Sequence, residues 1–383
     1  MRRGLGGCCV LVLVLLASVL GGPVAVAGRS AAKVLGPNEA HYPRVIRLAH
    51  SGAANGRIVA AVVRDLNGVG GGEIFESADG GASFAQLGRI ADPLGDNGVC
   101  CADLFELPSQ VGSLRPGTLL WVGAFGEAAR PVPVMSLRIW QSTDRGRTWS
   151  YLSACAEAAD GRRLWEPELA VDAAGRLVCH FSDEGGEPGH NQVMARTVST
   201  DGVRWTDRTL TVAVPQQRVR PGMPNVRRLP DGDFYLTYEL CNQLGQYSCA
   251  TYYRLSKNGW DWGDPADQGT LLRGRDGSYF MHTPTIALTP GGRLLLVGQE
   301  LWTSDGHHAP GNGTTVFVND SNGIGDWSAM PAPVPVPGAR DDQCPNYSST
   351  LLPVGGDVLE VATDYGADHV CRAWFASARL PAT

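Results

Sequence analysis

The sequence predicts an all-β protein folded as a six-bladed β-propeller. Three observations predict it. Helical periodicity is almost absent beyond residue 28, and short apolar runs end in Gly, Asp, Asn or Pro instead. One polar turn pattern also returns roughly every sixty residues, the signature of stacked repeats. The 49 glycines and 25 prolines supply the turns that such a chain needs.

The chain opens with a targeting pattern. Arg2 and Arg3 precede an apolar stretch from Val10 to Leu20, and Ala25, Val26 and Ala27 form a small-residue cleavage site. The stretch is too short for a retained membrane helix and runs into Gly21, Gly22 and Pro23. Cys8 and Cys9 lie ahead of it, where a lipoprotein cleavage would not fall. Residues 1–27 are therefore expected to be a signal peptide, and residues 28–383 one exported, extracellular domain.

Six strand pairs follow. They are Tyr42 to Leu48 with Arg57 to Val63, Ala102 to Leu107 with Thr118 to Val122, and Glu166 to Val171 with Leu177 to Phe181. Then come Met223 to Leu229 with Phe234 to Glu239, Thr283 to Leu288 with Arg293 to Gln299, and Tyr347 to Leu352 with Val358 to Thr363. The sixth unit has a third strand near Cys371 to Ala378 and then runs out of chain. Ala31 to Leu35 could supply its outer strand, and closing a ring this way protects sheet edges.

The repeated turn reads Ser-x-Asp-x-Gly-x-x-aromatic. Ser77, Asp79, Gly81 and Phe84 give one copy, and Ser142, Asp144, Gly146 and Trp149 another. Shortened copies run through Ser199, Asp201, Gly202 and Trp205 and through Ser256, Asn258, Gly259 and Trp262; a degraded one spans Asn319 to Trp327. Asp or Asn caps the turn, Gly accepts positive φ, and the aromatic packs beneath the hairpin. The pattern resembles the Asp-box (BNR repeat) of the sialidase-like propellers, where it joins the two outer strands of a blade.

Charge and cysteines narrow the chemistry. The formal net charge of −6 becomes more negative once Arg2 and Arg3 are removed, which favours neither nucleic acid nor an anionic membrane. Eight cysteines remain beyond the leader: Cys100, Cys101, Cys155, Cys179, Cys241, Cys249, Cys344 and Cys371. In an exported chain an even number points to disulfides. Cys241 and Cys249 flank a short loop, and Cys344 and Cys371 fall in one repeat; the spacing of the other four leaves their pairing open. There is no Cys-x-x-Cys pair and the eight histidines do not cluster, so neither a metal nor a cofactor is expected.

Two carboxylates stand out. Glu166 begins the inner strand of the third unit, and Glu239 ends the second strand of the fourth, which runs back to the same face. A carboxylate at the end of an apolar strand is costly unless a site uses it, and two at one mouth are the minimum equipment for cleaving a glycosidic bond. Trp165, Glu166 and Pro167, then Ser182 and Asp183, then Arg220 to Pro224, then Leu236 to Glu239 follow one another at a spacing that resembles the exo-α-1,5-L-arabinanases. Those are six-bladed propellers that release arabinobiose from arabinan with retention of configuration.

The resemblance implies a secreted retaining exo-glycoside hydrolase, with Glu166 as acid/base, Glu239 as nucleophile and Tyr347 beside it. Glu168 stands where that family commonly has an apolar residue, so it could perturb Glu166 or read substrate hydroxyls, and it leaves the acid/base role open between Glu166 and Glu168. Arg220 starts an inner strand, Arg44 is taken as its equivalent in the first unit, and Trp165 and His282 complete the candidate substrate contacts. The expected partner is an arabinan-like oligo- or polysaccharide, met by a monomer. Two alternatives remain. An exo-α-sialidase would use Tyr347 as nucleophile, but the usual Arg-Ile-Pro entry motif is missing, since the chain reads Pro43, Arg44, Val45, Ile46. A non-catalytic sugar-binding propeller would need neither glutamate.

Overall fold

The computed structural model describes residues 31–66, 69–129, 135–158, 161–206 and 208–382; the expected signal peptide lies outside them. Six antiparallel sheets follow one another along the chain and close into a six-bladed propeller. Blade one comprises His41–Arg47, Ile58–Leu66, Val69–Ser77 and Ala85–Ala91, ordered from inside to outside. Blade two comprises Val99–Glu106, Leu119–Phe125, Ser136–Ser142 and Ser150–Glu157. Blade three runs Arg163–Val171, Leu177–Glu184, Gln192–Ser199 and Thr209–Val212. Among the described residues no helix is long and apolar enough to cross a membrane.

Blade four departs from the simple repeat. Its inner strands Arg220–Arg228, Phe234–Cys241 and Ala250–Ser256 are extended by Tyr279–Met281 and Glu300–Trp302, the last two pairing with each other. Arg293 to Gln299 was expected as one strand; only Leu294–Val297 forms it, because the chain turns at Gly298 and Glu300 onward joins blade four. Blade five is Thr285–Leu288, Leu294–Val297, Thr315–Asn319 and Ser328–Pro331. Blade six takes Thr350–Val354, Asp357–Tyr365 and Cys371–Arg379 from the end of the chain and Lys33–Val34 from its start. Lys33 faces Phe375 and Val34 faces Trp374, so the expected N-terminal strand does fasten the ring.

The second strands are mostly buried because both of their faces lie between neighbouring blades. Leu119–Phe125 is buried at every position, and Trp121 and Phe125 are fully inaccessible. The turns between third and outer strands share one geometry. Ser77 Oγ donates to Asp79 at 2.7 Å and accepts from Gly81 N at 2.9 Å; Ser142, Asp144 and Gly146 repeat this at 2.8 and 2.8 Å. The Ser199 and Ser256 turns make the same pair of bonds. In blade five Asn319 takes both roles, accepting from Ser321 N and Gly323 N.

All eight cysteines among the described residues are paired: Cys100–Cys101, Cys155–Cys179, Cys241–Cys249 and Cys344–Cys371.

One irregularity positions the site. The inner strands of blades one to four each carry a bulge, where the pairing slips between His41 and Arg44, Cys100 and Ala102, Trp165 and Glu168, and Gly222 and Asn225. The residue inside each bulge has left-handed backbone: Tyr42 (φ 48°), Cys101 (45°), Glu166 (58°) and Met223 (57°). Non-glycine residues adopt such φ only when the surroundings enforce it, and bulges gather where a side chain must be re-aimed near a site.

Candidate active site

Glu166 is one of these four residues. It was expected at a strand tip, yet the strand starts at Arg163 and Glu166 sits inside it, at the bulge. Its Oε2 accepts from Ser182 Oγ and from Met223 N, both at 2.7 Å, and so reaches across to blade four. Glycine makes the approach possible. A Cβ on Gly222 would lie 3.0 Å from Glu166 Oε2. Gly222 in turn pairs with Glu239 on the next strand, which puts the two glutamates on either side of one glycine.

Their environments differ. Burial, and then the charge of Glu239, push Glu166 up to about 7, against the bonds from Ser182 and Met223 N and the charge of Arg220. Glu239 Oε2 accepts from Thr283 N at 2.8 Å and lies 3.8 Å from His282 Nδ1. Burial disfavours a charged His282, but the hydrogen bond and charge of Glu239 outweigh it and raise the imidazole pKa. The Cys241–Cys249 bridge lies against this pair, with Cys241 Sγ 3.4 Å from Glu239 Oε1. Among the described residues Cys241, Cys249 and His282 are the one grouping with metal-ligand spacing, and two of the three are spent in that disulfide.

Tyr347 lies close enough to both carboxylates to feel their charge. Burial raises its phenol pKa first, followed by the charge of Glu166, the neighbouring Tyr42 and the charge of Glu239. Its ring lies 6.3 Å from that of Tyr42, whose hydroxyl donates to Met223 Sδ at 3.4 Å across the channel. Tyr42 and Met223 thus close the floor of the mouth. On the rim, Trp165 Nε1 and Arg220 Nη1 both donate to Glu184, at 3.0 and 3.1 Å.

Arg44 and Glu168 lie one layer deeper. Counted from the bulges, Arg44 corresponds to Asp103, Glu168 and Asn225, not to Arg220 as expected, because Arg220 precedes its bulge and Arg44 follows its own. Arg44 is 7% exposed, lies under the Tyr42 ring and donates to Pro43 O and Ser348. Glu168 is 2% exposed and accepts from Val226 N at 3.2 Å and Arg227 at 2.6 Å. Beside it Asp103 accepts from Leu169 N, and burial followed by the Glu168 charge raises its pKa. This layer borders a cavity of about 690 Å³ lined by the far ends of the inner strands, below the mouth.

The mouth therefore assembles Glu166, Glu239, Tyr347, His282, Trp165 and Arg220. Glu184 and the backbone N–H groups of Met223 and Thr283 were not legible in the sequence, and Gly222 was legible only within the Arg220 to Pro224 motif. Ser182 was likewise legible only as part of a motif.

No protein-family model matches the chain, and no curated protein does. Solved structures do. An α-L-arabinanase of Penicillium chrysogenum, complexed with arabinobiose, is 24% identical over 89% of this chain and 93% of its own, with a TM-score of 0.74. The GH93 α-L-arabinofuranosidase of Fusarium graminearum, with arabinobiose, is 20% identical over 89% and 93%, with a TM-score of 0.71. This chain shares their fold. A protein of unknown function from Dyadobacter fermentans is also similar, at 12% identity over 92% and 99%, with a TM-score of 0.60.

Proposed function

We propose that the protein is a secreted, retaining exo-glycoside hydrolase that releases arabinobiose from α-1,5-linked arabinan. The observation that carries this reading is the pair of glutamates flanking Gly222 in unlike environments. Glu166, raised to about 7, keeps a proton near neutrality, whereas Glu239 accepts from a backbone N–H and lies beside His282. The arabinobiose complexes of the two similar structures support the choice of sugar.

In the first step Glu166 protonates the glycosidic oxygen as the bond from that oxygen to the anomeric carbon breaks. A carboxylate oxygen of Glu239 attacks the same carbon and forms an ester with it. In the second step Glu166, now ionised, takes a proton from water; the water oxygen attacks the anomeric carbon and frees Glu239. Tyr347, its phenol held protonated, can donate a hydrogen bond to Glu239 or to the sugar. Trp165 and Arg220, braced by Glu184, would border the substrate.

The sialidase alternative asks for arginines free to hold a carboxylate and for a tyrosine that attacks. Arg44 is buried beneath Tyr42, Arg220 is bound to Glu184, and Tyr347 is held neutral, all of which favours the arabinan reading. The deciding experiment incubates the protein with linear arabinan and, separately, with a sialoside. Release of arabinobiose with retained anomeric configuration is expected. Release of sialic acid overturns the reading, and release from neither substrate leaves a sugar-binding propeller.

A further inference from the structure

The vicinal pair Cys100–Cys101 sits in the ring of bulges that carries Glu166. Cys101 occupies in blade two the place that Glu166 occupies in blade three, with the same left-handed backbone. Cys100 is the last paired residue before its bulge, as Trp165 is before its own: Cys100 faces Ala124, and Trp165 faces Ser182. Cys101 is 3% exposed, but Cys100 is partly open. Both belong to one apolar cluster with Tyr42 and Met223, the floor of the mouth, and with Trp165 and Tyr347 on its walls.

Joining adjacent cysteines removes both S–H donors and holds the two sulfurs as one polarisable, donor-free surface. A furanose ring presents C–H groups on one face and hydroxyls at its edge, so it can lay that face on such a surface while its hydroxyls turn to polar partners. We propose that the Cys100–Cys101 disulfide is an apolar platform for one arabinofuranose ring, on the blade-two wall of the mouth; this rests on the arabinan reading above. It is a positioning element and takes no part in bond breaking.

Two measurements test it. In a crystal of the Glu166→Gln variant with an arabino-oligosaccharide, a ring carbon should lie within about 4 Å of Cys100 or Cys101 Sγ, the range of apolar contact. Rings placed elsewhere would overturn the platform, whatever any double variant does. In solution, Cys100→Ser/Cys101→Ser should raise KM for arabinan about tenfold, equivalent to about 1.4 kcal/mol, with kcat within about twofold. A Cys155→Ala/Cys179→Ala control, which loses a disulfide away from the mouth, should lower Tm and leave KM unchanged. If the Cys100/Cys101 variant behaves like that control, the bond is structural and the proposal fails. If the wild-type protein releases nothing from arabinan, the arabinan reading falls and takes the platform with it. Cleavage of arabinan with no sugar on the sulfurs sinks the platform alone.

Discussion

On the proposed mechanism Glu166 has to hold a proton and yet stand within reach of a second carboxylate, and its neighbours set the balance. Burial and Glu239 raise it from an ordinary 4.5 to about 7, while Ser182 and Met223 N pull it down. On the proposed mechanism the protonated form is the acid, so kcat on arabinan should fall as pH rises through about 7. Ser182→Ala removes a bond that favours the carboxylate. The pKa should then rise further and carry the basic limb to higher pH; a limb that stays put in a kcat–pH profile would sever that link. The same shift bears on stability. The folded state keeps a proton that the unfolded chain releases, so this group's contribution is fully present below about 4.5 and is lost as pH rises toward 7. Gly222→Ala would place a methyl 3.0 Å from Glu166 Oε2. Activity should drop by about tenfold or more with little change in Tm, because small displacements of reacting groups are costly. Glu239→Ala should abolish turnover, and azide should restore it on an activated glycoside with inverted product, as read by NMR.

At the scale of elements, the bulge is the device that turns a repeating strand into a site. Each inserts one residue with left-handed φ, and the four residues so placed are a tyrosine, a disulfide half, a glutamate and a methionine. The backbone frame is shared, and the side chains differentiate it. The Cys241–Cys249 loop adds a second device on blade four, a staple lying against Glu239. Opening it in a Cys241→Ser/Cys249→Ser variant should cost at most about 2.5 kcal/mol, since so short a loop removes little unfolded-state entropy. The kinetic loss should exceed what this implies for folding, with kcat falling severalfold while thermal melts still show a cooperative fold. Unchanged kcat would show that the loop is dispensable to Glu239.

The whole molecule is a ring closed by its own beginning. Lys33–Val34 completes blade six, Leu35 N donates to Ala373 O at 2.8 Å, and Leu35 is buried in a cluster with Val361 and Phe375. Deleting residues 31–35 should bare the edge of Cys371–Arg379. Tm should fall by several degrees, and the protein should self-associate on size-exclusion chromatography, since an open strand edge invites pairing. A monomer with unchanged Tm would mean that the ring closes without this strand.

Apolar runs of strand length, turn residues at regular intervals and one recurring hydrogen-bonded turn were enough to read six blades and their order from the sequence. These are local signals, written within a few residues of one another. The order of Trp165, Glu166, Arg220 and Glu239 was legible for the same reason. The register inside the inner strands was not. Strict alternation puts Glu166 and Glu168 on one face, but an extra residue at Glu166 breaks that alternation, leaving Glu166 at the mouth and Glu168 buried with Arg227. The same slip carries Arg44 below the floor and leaves Arg220 on the rim. The Cys100–Cys101 bond, the close approach over Gly222 and the N–H groups offered by Met223 and Thr283 were equally invisible. The disulfide depends on the local bulge that sets the backbone at Cys101, whereas the contacts between blades depend on which blade faces which, and only closure of the ring decides that.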